Sequence, residues 1–492
     1  MLRASPLSFL FIVVMTFPAL SDTITYRDED GKEVTIEARI AGEGLGFQAF
    51  ERRDGQIQIV PNAAVTAREP TDPPAPIDEE GMVELFQEHF GTDLVRTDID
   101  KNFVVALILS SPIERSSESQ ASGFLRKASS FMRRVDATFL RYARSKRISV
   151  HDPKFPMVLL IFESDDDFNS YAEEATGGRG LSAENILGFY SPITNWLAVR
   201  MSSCDTFEVP LHEAIHLQMY NRVFQRLAPI PKWFDEGIAT GFEGNGDRIN
   251  ISPSKVNSRY ARQAMTRSGQ VSWESVIRDD GAFTADILAG EAYTMAWCMH
   301  WMLATRHEDE YRDYVEELSQ RKTLGELDSD ERIGRFEEIF HVSVDELQQS
   351  FPKSLQLAAK VQKIKLEQPR RDGIGTRTQS LGQVEMQAVA TSNAGTAIEA
   401  SGTLKNLSPL RTMTFYVTME TSGGTYADWL IPSVAPSRSI QLPRQRAAKL
   451  FRPNVQLPPG SYQVFIRSVP ADSRESQVWE SGQLPGPRLG GD

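Results

Sequence analysis

The sequence predicts a multidomain α+β protein in which a helix-rich centre is flanked by two small β modules. Three observations carry this expectation. At 492 residues the chain exceeds what one hydrophobic core ordinarily organises. Two stretches poor in apolar residues, 69–79 and 367–383, divide it. Apolar residues alternate at every second position towards both ends but recur at helical spacing between those stretches.

In chain order, Arg3, the apolar run Leu7 to Phe17 and Ala19-Leu20-Ser21 read as a cleaved secretory signal peptide over residues 1–21. The run falls short of the ~20 apolar residues a spanning helix needs, which makes a membrane anchor the lesser reading. The expectation is a secreted or periplasmic chain with no membrane span after cleavage. Residues 22–68 hold short alternating strands, Thr23–Tyr26, Val34–Ala38 and Gln56–Val60, with hairpin signals at Asp30-Gly31 and Asp54-Gly55. A small β-barrel is the fold that pattern suggests, in a layout that looks like the SH3-like modules found beside exported bacterial enzymes. Prolines 70, 73, 74 and 76 make 69–79 a semi-rigid linker.

The central region, 80–366, opens with apolar strand candidates at Phe103–Leu109 and Pro156–Phe162. Phe124, Ala128, Met132, Val135, Phe139 and Tyr142 lie on one face of a helix expected over Glu118–Lys146. Ser164 followed by three aspartates could be taken for a metal loop, but an N-cap and acidic first turn explain it fully. Gly188–Tyr190 and Asn195–Arg200 flank a Ser191-Pro192 turn and form a strand pair. After Glu236 the pattern is helical to about Lys365, with runs at Glu291–His307 and Glu308–Arg321. A second linker, 367–383, leads to an alternating region, 384–481, read as a β-sandwich in which Met413, Phe415, Val417 and Met419 share one face. The Gly/Pro-rich end, 482–492, is expected to be disordered.

Charge narrows the function. With 53 Lys+Arg against 66 Asp+Glu the net charge is −13, and no basic run could follow a phosphate backbone, so nucleic acid is not an expected partner. Cys204 and Cys298 are the only cysteines. They exclude a disulfide framework and a thiolate zinc site, leaving either one bridge or two buried thiols.

The chemistry sits at Leu211-His212-Glu213-Ala214-Ile215-His216. Two histidines four apart lie one helical turn above each other and can share a cation, with Glu213 beside it. The rival reading is a structural histidine pair or a decayed site. Downstream, Glu236 lies inside Trp233-Phe234-Asp235-Glu236-Gly237-Ile238-Ala239, after a Pro229-Ile230-Pro231 turn. A helical hairpin would return Glu236 over both histidines, and its apolar neighbours imply a buried carboxylate that needs a cation or donor.

His-Glu-x-x-His followed by Trp-Phe-x-Glu-Gly-Ile-Ala resembles the gluzincin metallopeptidases, the clan of thermolysin and the aminopeptidase N type. It is most similar to a poorly characterised family of exported bacterial gluzincin-like proteins that share Tyr190-Ser191-Pro192-Ile193-Thr194-Asn195 before the histidines. The resemblance covers roughly residues 80–365. It implies an α+β zincin-like catalytic domain, here between the SH3-like β-barrel and the β-sandwich. It also implies one Zn2+ on His212, His216 and Glu236, Glu213 as general base and acid, and Tyr293 as donor to the oxyanion. Read without the resemblance, Tyr293 is an ordinary half-buried tyrosine, and His300 and His307 are packing or surface residues. Two departures stand out. No Gly-x-Met-Glu-Asn strand anchors a substrate amine, which disfavours an exopeptidase. Thr240 occupies the place of the aspartate that orients a ligand histidine in thermolysin-type enzymes, while Asp235, adjacent to Glu236, should point elsewhere on the helix. The implied activity is an exported zinc metallopeptidase acting on protein or peptide, at internal bonds. The alternatives are a non-catalytic, zinc-stabilised binding or scaffold protein of the cell envelope and, more remotely, an amidase on cell-wall peptide.

Overall fold

The computed structural model describes residues 21–72, 74–176, 186–205, 207–244, 249, 251–267, 272–283, 286–366, 374–375, 380–390, 398–421, 424–446 and 463–484. The expected signal peptide, apart from Ser21, and the expected disordered end beyond Leu484 lie outside them.

The N-terminal sheet contains β1 (Ser21–Arg27), β2 (Glu33–Gly44), β3 (Phe47–Arg52), β4 (Ile57–Pro61) and β5 (Val65–Thr71), in the order β4-β3-β2-β1-β5 with every pairing antiparallel. Asp28 Oδ1 accepts the N–H groups of Asp30 and Lys32 at the first turn, where Gly31 takes φ 77°. Ile24, Tyr26, Ala38, Phe50 and Val60 form a core of their own. The linker expected from residue 69 begins later, because β5 continues to Thr71 and Pro70 pairs with Asp22. An edge strand admits proline, since on its open side no ladder bond is lost.

The central sheet has the order β6-β7-β8-β10-β9. Its members are β6 (Val95–Asp100), β7 (Phe103–Ile108), β8 (Met157–Phe162), β9 (Gly188–Tyr190) and β10 (Trp196–Arg200). β7, β8 and β10 run parallel, whereas β6 and β9 are antiparallel edges. Every residue of β7, β8 and β10 is buried, as continuous apolar runs covered on both faces require. Alternate positions feed two cores. Val105, Leu107, Leu159 and Val199 pack with α2 (Arg115–Ser145) and the later helices. Val104, Ala106, Leu160 and Ala198 pack with α1 (Glu79–Phe90) and α3 (Asp165–Thr176). Ser164 Oγ accepts from Asp167 N–H at 3.1 Å, so the aspartate triplet opens α3 as an N-capped first turn.

On the α2 side lie α4 (Glu208–Arg222), α5 (Lys232–Phe242), α6 (Ser258–Arg267), α7 (Trp273–Arg278), α8 (Asp286–Arg306), α9 (Glu308–Ser319), α10 (Ser329–Phe340) and α11 (Val344–Val361). α5 packs closely on α8 because Gly237 has no side chain: a Cβ there would lie 2.8 Å from Ala296 O and collide with the His300 ring. Cys204 and Cys298 are separate buried thiols.

The C-terminal region forms two sheets, β11 (Ile374–Gly375), β12 (Gly382–Ala390), β13 (Ile398–Asn406) and β16 (Ser439–Arg446) in one, and β15 (Gly424–Val434), β14 (Met413–Thr421) and β17 (Gln463–Pro470) in the other. Met413, Phe415, Val417 and Met419 are buried in one core with Val384, Met386, Ala400 and Leu404 of the opposite sheet. Strand structure starts inside the expected second linker, where Ile374 and Gly375 pair with Met386 and Glu385. A helix the sequence did not suggest, α12 (Arg474–Glu480), comes after β17. Arg411 ties this region to the centre through Glu163, at 2.5 and 2.9 Å, and Lys405 through Asp205, at 2.6 and 2.7 Å. No helix among the described residues is long and apolar enough to cross a membrane.

Candidate metal centre

α4 and α5 bring His212, His216 and Glu236 together, with one ligand atom from each lying within 4.8 Å of the others. His212 and His216 project from one face of α4, their ring centroids 5.0 Å apart, as i and i+4 positions must. Glu236 Oε2 approaches His212 Nε2 at 3.1 Å and His216 Nε2 at 3.6 Å. Each imidazole is held from behind on its other nitrogen. Glu243 Oε1 lies 2.8 Å from His212 Nδ1, and Asp235 Oδ1 lies 2.8 Å from His216 Nδ1. A carboxylate on Nδ1 fixes the tautomer that leaves Nε2 free to ligate, so this donor set fits a divalent cation such as zinc.

The orienting carboxylates differ from the sequence expectation. Thr240 is fully buried and its hydroxyl donates to Gly237 O at 2.9 Å within its own helix, so it does not reach a histidine. Asp235, expected to point away, faces His216, because α5 crosses α4 closely enough for both 235 and 236 to meet it. Tyr220 donates its hydroxyl to Asp235 Oδ2 at 3.1 Å and completes that arm. Glu243 was missed. Seven residues after Glu236, it lies two turns along the same face, a periodicity the sequence does carry. Tyr260 donates to its other oxygen at 2.5 Å.

Burial alone would strip the charge from both imidazoles. Glu236 and Glu243 outweigh it at His212, whose pKa stands well above the ordinary histidine range, and Asp235 with Glu236 raises His216 to about 10. Burial works the opposite way on Glu236, but the two histidines override it and hold its carboxyl well below the usual range. Glu213 is partly exposed beside the cluster. Burial lifts its pKa, against the pull of both histidines, and its Oε2 accepts Tyr190 N–H at 2.9 Å. Tyr293, on α8, lies with its ring 6.0 Å from His212 and its hydroxyl directed to Glu236; burial and the Glu236 and Glu213 charges push its pKa up, keeping it a neutral donor. Lys232, not singled out from sequence, places Nζ 3.7 Å from Glu236 Oε1.

His300 is not part of the cluster. It is fully buried, its Nε2 meets Phe234 O at 2.8 Å, and burial pushes its pKa down to about 3, so it packs as a neutral ring. His307 stands at the N-cap position of α9 without a side-chain capping bond, apart from the cluster. The strand pair named from sequence does flank the site, with β9 as the sheet's antiparallel edge.

Fold and cluster together define a chain with a two-helix site of two histidines and three carboxylates. Residues 209–325 match a family model described as a protein of unknown function, DUF1570, and the matched span includes every side chain of the cluster. No curated protein matches the chain.

Proposed function

We propose that the protein is a zinc-dependent metallopeptidase of gluzincin type with a zincin-like central domain, acting on protein or peptide, at internal bonds. The observation that supports this best is the convergence of two Nε2 atoms and one carboxylate, each imidazole fixed by its own carboxylate, with Glu213 alongside. His212, His216 and Glu236 would hold the metal. When bound, zinc supplies Lewis-acid polarisation of the scissile carbonyl and lowers the pKa of water.

The chain's own groups supply the rest. Glu213, its Oε2 occupied by Tyr190 N–H, receives the proton of the attacking water at Oε1 and delivers it to the leaving amine. Tyr293 donates its hydroxyl to the oxyanion that forms on the carbonyl. The edge strand β9, whose Tyr190 N–H is already taken by Glu213, is the place where an extended substrate pairs. An exported setting fits the N-terminal signal-like sequence.

The test is cleavage of casein and a broad peptide library by zinc-replete wild type and by Glu213→Ala, with zinc measured in both. Cleavage by wild type, its loss in Glu213→Ala and one zinc per chain in each are expected. Identical behaviour of the two proteins would sink the proposal in favour of a zinc-stabilised binding protein.

A further inference from the structure

We infer that Arg226 and Glu51 are positioning residues for Glu213, and that the N-terminal sheet thereby belongs to the working site. The consequence for catalysis rests on the peptidase reading; the mechanical coupling does not. Glu213 Oε2 is held by the N–H of Tyr190, the last residue of a three-residue edge strand that, among the described residues, pairs only with β10. A strand so short has few bonds of its own to keep it in place. The direction of that N–H is therefore set by the turn into which the strand leads.

The turn after Tyr190 is fixed from two sides. On the inner side, Asn195, in the left-handed region at φ 66°, exchanges amide hydrogen bonds with Asn221 of α4 at 2.8 and 2.9 Å and accepts the Tyr190 hydroxyl at 2.8 Å. On the outer side the holding groups come from the N-terminal sheet or bind to it. Ile57 N–H, at the start of β4, donates to Ile193 O at 2.8 Å. Arg226 Nη1 donates to Pro192 O at 3.3 Å and to Gly55 O at 2.5 Å, and its Nη2 to Glu51 Oε1 at 2.6 Å. Glu51 also takes Lys154 at 2.6 Å and Arg39, so one buried carboxylate meets three cations. A planar guanidinium can tie three acceptors at once; an ammonium on a flexible stem cannot hold the same directions. The path runs from Glu51 through Arg226 to the 192–193 turn, then to Tyr190 N–H and Glu213.

The experiment uses the full chain with Glu51→Gln and Arg226→Lys, and Lys405→Ala at the C-terminal contact as a control. Amide hydrogen exchange is followed for peptides covering 188–196 and α4, alongside zinc content and casein kinetics. Exchange at 188–196 should rise by about tenfold or more in both variants while α4 and zinc content hold. Cleavage kcat should fall with KM within about twofold, the pattern of a displaced base rather than a lost binding contact. Unchanged exchange at 188–196, an equal rise in Lys405→Ala, or raised exchange with unaltered kcat would overturn the inference. If wild type cleaves nothing yet exchange rises in the two variants, the coupling stands and the peptidase reading falls.

Discussion

At the scale of single residues, the centre depends as much on what stands behind the histidines as on the histidines themselves. Glu243 and Asp235 occupy the Nδ1 atoms, and each is held in turn by a tyrosine hydroxyl, from Tyr260 and Tyr220. Replacing Glu243 with Ala frees the His212 ring to rotate and removes the acceptor that selects its tautomer. Zinc affinity should then fall about 10–100-fold with the fold intact, measured by competition against a chelator. An unchanged affinity would mean Glu243 is only a packing carboxylate. His212, Glu213, His216 and Glu236 were legible because a helix fixes the offset between i and i+4 and because a glutamate among Trp233, Phe234 and Ile238 is costly without a partner. The Nδ1 partners were harder to read. Which neighbour of Glu236 faces α4 depends on how closely two helices cross, and that distance is set by residues on a third helix.

At the scale of elements, that third helix is α8. Its Ala296 and His300 lie directly against Gly237, so α5 sits as deep as it does only because position 237 lacks a Cβ. Gly237→Ala should destabilise the protein by about 1–3 kcal/mol through overpacking, read as a lower thermal midpoint, and weaken zinc binding by moving Glu236 outward. A midpoint equal to wild type would show that α8 yields at no cost. Long or strongly patterned elements, such as β7, β8 and α2, were readable from sequence because burial on two faces or on one helical stripe leaves a repeat. β3, β5 and α12 were not. β5 carries Pro70 and runs into the proline-rich stretch, which argues against a strand, and a seven-residue α12 is too short to show a period.

At the scale of the whole molecule, the three regions are joined by backbone, apolar and charged contacts: Ile57 N–H to Ile193 O, Leu410 in the central core, and the Glu51–Arg226 pair. Burial pushes the Glu51 carboxyl up, but Arg226, with Lys154 and Arg39, outweighs it and holds its pKa below the usual range. A carboxyl lowered on folding contributes stability that is fully present above its unfolded value, about 4.3, and is lost as pH falls through the folded one. Below about pH 4 the N-terminal sheet should loosen from the centre before the centre itself unfolds. Limited proteolysis with an acid-active protease should then cut between Thr71 and Glu79, and in Glu51→Gln a neutral protease should make that cut already at neutral pH. Equal protection at both pH values would place the stabilising contacts elsewhere.

The bond from His300 Nε2 to Phe234 O has a consequence for engineering. It makes the centre non-portable. A fragment running from α4 to Glu243, the residue after α5, would contain all three candidate ligands and both orienting carboxylates, yet lack the ring that anchors the α5 backbone and the strand that restrains Glu213. Any attempt to graft this chemistry onto another scaffold must carry the span from Gly188 to Arg306 as one piece, together with the N-terminal sheet that holds the 192–193 turn.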